Sequence, residues 1–160
     1  MLSATLSFMS VHMIKLVVGS DSLEDFALWQ QQGAERVIFD GINGEQEANI
    51  VRTRYKPKRA DEILSSGGSI YRIIKGRICC RQQIVGFDTY ESADKGTQCL
   101  ILTDTKIIQT QSSAHRPFQG WRYFDNAKAP HDRGEYIAGK IQNEVPPPEI
   151  EEALKGAGLL

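Results

Sequence analysis

Residues 69–87 set the tightest limit on what this chain can fold into. Ser69-Ile70-Tyr71-Arg72-Ile73-Ile74 and the run from Arg77 to Phe87 are the most β-like stretches of the sequence, separated by Lys75-Gly76. Gly67-Gly68 stops a preceding helix and lets the first strand begin. In the second run Ile78, Cys80 and Ile84 fall on one face and Arg77, Arg81 and Gln83 on the other. That alternation predicts a half-buried strand with one wet face. Cys79 and Cys80 lie within it, so at least one points inward as a small apolar side chain.

The remaining elements must pack against this β framework. Residues 12–18 read as a strand, with Ile14, Leu16 and Val18 on one face. A helix follows, capped by Ser20 or Asp21, with Leu23, Phe26, Ala27 and Gln30 as its inner stripe, Trp29 near the edge, and Gly33 as its stop. Strands are expected at 36–39, 49–55, 98–103, 106–110 and 136–141, and a short helix at 58–64. Residues 146–148 form a stiff proline spacer before a short acidic helix at 149–155. Six or seven short strands with two or three peripheral helices predict an α+β fold built on a small mixed β-sheet or a barrel-like one. Residues 11–145 are expected to form one globular domain, with 1–10 a disordered extension and 146–160 a Pro-led helix and tail.

Composition removes several functions. Three cysteines, two of them adjacent, give neither a disulfide framework nor the CxxC pairs of a zinc site, and the three histidines are far apart in sequence. No metal, cofactor or membrane partner is expected, and the cysteine usage suits a reducing, cytoplasmic compartment. There is no GxSxG, HExxH or phosphate-loop motif, so no catalytic residues are assigned. The net charge of −1 hides segregation: −5 over residues 1–51, +7 over 52–81 and −3 over the remainder. A basic block between acidic flanks points to an anionic partner.

Two constellations could receive such a partner. Arg52, Arg54, Lys56, Lys58 and Arg59 fall within eight residues that also hold Tyr55. If 52–56 is extended, Arg52, Arg54 and Lys56 share one face and could follow a sugar–phosphate backbone. A solvated edge strand kept from aggregating by its charges has the same composition. The second is Arg116-Pro117-Phe118-Gln119-Gly120-Trp121-Arg122-Tyr123-Phe124, which gathers four of the thirteen aromatics. Trp121 and Tyr123 could stack a base while Arg116 and Arg122 hold phosphate; equally, Trp121 could close the end of a core. Lys75, ending a strand beside Gly76, could reach a ligand anion or stand in solvent.

The strings Arg54-x-x-Pro57-x-Arg59-Ala60-Asp61-Glu62-Ile63-Leu64, Gly67-Gly68-Ser69-Ile70-Tyr71, Ile74-Lys75-Gly76 and Arg81-Gln82 resemble a small bacterial family of unknown function. So do His12-x-Ile14-Lys15-Leu16-x-Val18-Gly19 and the Arg116–Tyr123 string. The layout is also similar to the PUA-like β-barrel group, which implies binding of RNA or modified bases. The related ASCH branch implies a small hydrolase or nuclease. Its pattern of Gly-x-Lys, then Glu and Arg, is matched loosely by Lys75 and Arg81, with no Glu between them.

The expected function is therefore binding of RNA, a modified base or a nucleotide through Arg52, Arg54, Lys56, Lys58, Arg59, Lys75, Arg116, Trp121, Arg122 and Tyr123. One alternative is a small hydrolase or nuclease acting on a modified nucleoside or nucleotide, with Lys75 and Arg81 near the chemistry. A protein–protein adaptor docking through the acidic C-terminal helix is another. Whether the basic run and the aromatic cluster meet on one surface decides whether they form one site.

Overall fold

The structure is a computed structural model that describes residues 10–41 and 44–140. Nine strands, two α-helices and one 3₁₀ turn make up the described chain: β1 (Val11–Leu16), α1 (Leu23–Gln32), β2 (Arg36–Gly41), β3 (Gly44–Thr53), α2 (Ala60–Ser65), β4 (Ser69–Ile74), β5 (Arg77–Ser92), β6 (Gly96–Thr103), β7 (Ile107–Ala114), β8 (Trp121–Asp125) and β9 (Asp132–Tyr136), with the 3₁₀ turn at Asn126–Lys128. The fold is α+β on a mixed sheet, and among the described residues no pairing joins its outer strands, so the sheet is open. The helix expected at 149–155 and the extension at 1–10 lie outside the described residues, 10 excepted.

β5 organises everything. Its first half pairs with β4 on one side and β7 on the other, and its second half pairs with β6. One array therefore runs β8-β1-β4-β5-β7-β9 and a second runs β2-β3-β6-β5, with β5 common to both. β1 and β4 are parallel, Met13 opposite Ile70 through Leu16 opposite Ile73; all other pairings are antiparallel. β4, enclosed between β1 and β5, is buried at every residue, as a strand with both faces covered must be.

Two bulges shape β5. Arg72 pairs with Cys80 but Ile73 pairs with Ile78, so Cys79 is the extra residue. The even alternation expected from the sequence is thereby broken. Ile78 packs with Ile14, Tyr71, Ile73 and Phe124, whereas Cys79 and Cys80 both join Phe26, Val17, Ile74 and Ile107 beneath α1. Both cysteines are buried, which meets the expectation of at least one. The second irregularity, between Ile84 and Gly86, lies where β5 passes from one array to the other.

α1 buries Leu23, Phe26, Ala27 and Gln30, the stripe read from the sequence. Its cap is Ser22, whose hydroxyl accepts from the Asp25 N–H at 3.0 Å, in place of the expected Ser20 or Asp21. Glu24 is left to accept from the Tyr136 hydroxyl at 2.7 Å and the Gly139 N–H at 2.9 Å, which ties α1 to β9. Gln30 and Gln82 exchange two amide hydrogen bonds, 3.0 and 2.8 Å, inside the protein. α2 covers a third cluster of Met13, Val51, Ile63, Ile70, Ile84, Cys99 and Ile101. The last described strand is Asp132–Tyr136, earlier than the 136–141 expected, and β8 is a strand within the aromatic cluster. No described helix is long and apolar enough to cross a membrane.

Candidate functional site

The basic run and the aromatic cluster meet. β8 pairs with β1, Trp121 opposite Lys15 and Tyr123 opposite Met13, so Trp121 and Tyr123 project from the same side of the strand. The segment leading from β3 to α2 lies against that side. The Trp121 indole Nε1–H donates to the Tyr55 carbonyl at 2.7 Å, and the Arg59 backbone N–H donates to the Tyr123 hydroxyl at 3.1 Å. The two rings meet edge to face at 4.9 Å, and the Arg59 guanidinium sits 5.5 Å from the Tyr123 ring centre. Pro57 is buried, while Arg54, Tyr55, Lys56, Lys58, Arg59 and Tyr123 are exposed.

The predicted residues divide into those on this platform and those away from it. β3 ends at Thr53, so the expected row of Arg52, Arg54 and Lys56 along a single strand is interrupted. Arg52, on the strand, pairs with Glu35 and lies 4.7 Å from the Tyr90 ring centre. Arg54 lies over Tyr55 at 5.5 Å. Arg59 makes a forked pair with Glu62, Nε to Oε1 3.1 Å and Nη2 to Oε2 2.8 Å; that hydrogen bonding raises the pKa of Arg59 and lowers that of Glu62. Lys75 stands in the exposed β4–β5 turn at φ 52°, with its ammonium 3.7 Å from Asp21. Arg122 points to the other side of β8 and stacks on Phe118 at 4.3 Å, and Arg116 is exposed in the preceding loop. Trp121 is half-buried against the cluster beneath α2, so its ring serves the core as well as the surface.

A second group of side chains was not legible as a site. On the opposite face of β1 and β4, His12, Ser69, Tyr71, Arg81, Asn126, His131 and Asp132 line a polar cleft of about 430 Å³. His12 Nδ1 accepts from the Ser69 N–H at 3.0 Å, which leaves Nε2–H to donate to the Asn126 Oδ1 at 2.8 Å. Burial lowers the His12 pKa, holding this neutral tautomer. Tyr71 meets His12 edge-on at 5.1 Å, and its own pKa is raised by burial. Arg81 forks onto Asp132, Nε to Oδ1 2.8 Å and Nη2 to Oδ2 2.7 Å, and its Nη1 donates to the Ser69 hydroxyl at 2.9 Å. The hydrogen bonds between them raise the Arg81 pKa and lower that of Asp132. Among the described residues no group of three His, Cys, Asp or Glu side chains could hold a metal ion.

Residues 13–160 match the family described as a protein of unknown function (DUF1489). The chain belongs to that family. Neither the search of curated proteins nor that of solved structures returned a match. The DUF1489 match takes in the whole platform and every cleft residue except Ser10 and His12, so both surfaces fall essentially within the family's span. The strings that carried the family resemblance also converge here. His12 comes from one, Gly67, Ser69 and Tyr71 from another, and Arg81 from a third. They meet because β1 pairs with β4 and β4 with β5, a topology that residue spacing does not encode.

Proposed function

We propose that this chain is a cytoplasmic nucleic-acid-binding domain that takes single-stranded RNA, or a modified base within it, along the platform of residues 54–59 and 121–123. One observation carries the reading: the Trp121 indole is hydrogen-bonded to the Tyr55 carbonyl at 2.7 Å, which seats the basic segment on the aromatic cluster. Stacking needs an accessible ring face, and Tyr55 is 66% exposed. A stacked base contributes about 1–3 kcal/mol. Phosphates need uncompensated cations; Arg54, Lys56 and Lys58 have no carboxylate partner among the described residues, whereas Glu62 neutralises Arg59. In this reading Tyr55 and Tyr123 stack, and Trp121 chiefly holds the segment in position. Arg52, Lys75, Arg116 and Arg122 contribute only to the surrounding field. The unpaired cysteines agree with a reducing compartment.

The test is fluorescence anisotropy of a labelled single-stranded RNA with the wild type and Tyr55→Ala. The variant should bind about tenfold more weakly and keep its circular dichroism spectrum, because the side chain is exposed. Equal binding by the two proteins would remove the platform from the account.

The polar cleft favours a second reading, an enzyme acting on a nucleoside or nucleotide. Arg81 would take part in it without Lys75, which lies in the exposed turn at the other end of the β4–β5 pair. Turnover of a nucleoside or nucleotide panel, lost in Tyr71→Phe while RNA binding persists, would establish this reading; no turnover of any member would dismiss it.

A further inference from the structure

A cavity of about 310 Å³ opens between α1, β1 and β3, apart from both the platform and the polar cleft. Its walls carry Lys15, Arg72, Phe26, Trp29 and Gln30, with Arg52 and Glu35 also lining it. Arg72 is the unusual residue. It is only 6% exposed, and no carboxylate among the described residues pairs with it. Its Nε and Nη2 donate to the Lys15 and Leu16 carbonyls at 3.3 and 3.1 Å, and its guanidinium lies 5.3 Å from the Phe26 ring centre. Those partners are neutral. A buried guanidinium satisfied only by carbonyls keeps much of its desolvation cost until an anion meets it.

The strand register adds to the positive charge. Lys15 on β1 is the direct partner of Arg72 on β4, and like charges on neighbouring strands at the same level repel. Burial and the adjacent Arg72 lower the Lys15 pKa, and burial brings Arg72 down to about 10, which leaves the Arg72 guanidinium cationic at neutral pH. Glu35 is already engaged by Arg52. With Glu35 and Arg52 neutralising one another, Lys15 and Arg72 are left in the lining with no further carboxylate to meet them. Its apolar side is aromatic: Phe26 and Trp29 lie 6.2 Å apart with rings inclined by 25°, and Trp29 is 51% exposed. The volume is at the lower end of small-molecule sites.

We infer that this cavity binds a small planar anion, with a phosphate or carboxylate between Arg72 and Lys15 and a ring against Trp29 and Phe26. The chemistry is that of a mononucleotide or an aromatic carboxylate. The inference stands independently of RNA binding, because Tyr55 and Tyr123 do not line this cavity.

Isothermal titration of the full chain with AMP, benzoate and inorganic phosphate tests it. AMP or benzoate should bind one to one at low salt, at least tenfold more tightly than inorganic phosphate. Arg72→Met should weaken that binding at least tenfold, and Lys15→Gln should weaken it several-fold with little change in melting temperature. Lys15→Gln carries the test if Arg72→Met fails to fold. Absence of binding by both ring-bearing probes, equal binding of phosphate alone, or affinity unchanged in the folded variants would overturn the inference.

Discussion

His12 is 5% exposed and uses both ring nitrogens, one accepting from the Ser69 N–H and the other donating to Asn126. Protonation would turn the acceptor into a second donor facing an N–H. Burial lowers its folded pKa below 6.5, an effect to which nearby Arg81 adds and which Asn126 and Asp132 partly offset. Below the unfolded value the unfolded chain therefore binds more protons, so stability falls with pH from about 6.5 downward until the folded pKa is passed. Melting temperatures measured between pH 8 and 5 should decline in the wild type and decline less in His12→Gln. Equal declines would show that His12 is not the group responsible. Asp132 behaves in the opposite structural sense, because Arg81 holds its carboxyl below the usual range. Its contribution is present above about pH 4 and is lost as pH falls through the depressed value. Asp132→Asn leaves Arg81 without its charged partner and should cost about 1–2 kcal/mol by denaturant titration; no loss would mean that the pair is only a surface contact.

The joint between α2 and β4 shows how local chemistry fixes an element. Gly67 has φ +72°, its N–H bonds to the Leu64 carbonyl at 3.3 Å, and the Gly68 N–H bonds to the Ile63 carbonyl at 2.8 Å. This is a Schellman stop, in which the first glycine supplies the left-handed turn. Gly68 has a separate requirement: a Cβ there would lie 2.0 Å from the Val11 carbonyl oxygen, against the backbone of β1. Gly68→Ala should destabilise by about 3 kcal/mol or more and Gly67→Ala by about 1 kcal/mol. Chemical denaturation of the two variants checks the order, and a reversed order would contradict the packing. The Gly67-Gly68 stop and the α1 stripe were legible because both depend on nearest neighbours and helical period. The bulge at Cys79 was not, since alternation counts residues along one strand and the extra residue is defined by the partner strand. β8 was obscured for a similar reason: Pro117 and Gly120 precede it, and only pairing with β1 makes its five residues a strand.

At the level of the whole molecule, β5 belongs to both arrays, and separating them requires breaking it. Hydrogen exchange should therefore find the slowest amides in the central part of β5, around residues 78–84, and one cooperative unfolding transition. Two resolved transitions would mean that the arrays are stable independently. The same topology explains what could be foreseen of the candidate site. The charge block and the aromatic cluster were visible in composition, and their contact follows from the chain after β3 running along β8. Tyr55 gained importance and Arg52 lost it because β3 ends at Thr53. Arg81 was singled out through a loose family pattern, whereas His12, Tyr71 and Asp132 gave no such signal, because β1, β4, β5 and β9 bring the four together from distant parts of the chain.

The central claim is that Arg54, Lys56 and Lys58 meet phosphates beside stacking tyrosines. Anisotropy of a labelled single-stranded RNA, titrated at several salt concentrations, measures this most directly. Affinity should fall with salt, and Arg54→Ala/Lys56→Ala/Lys58→Ala should reduce the magnitude of the log–log slope by about 2, at about 0.7 per lost contact. No binding at low ionic strength, or the same slope in the wild type and the triple variant, would contradict the claim.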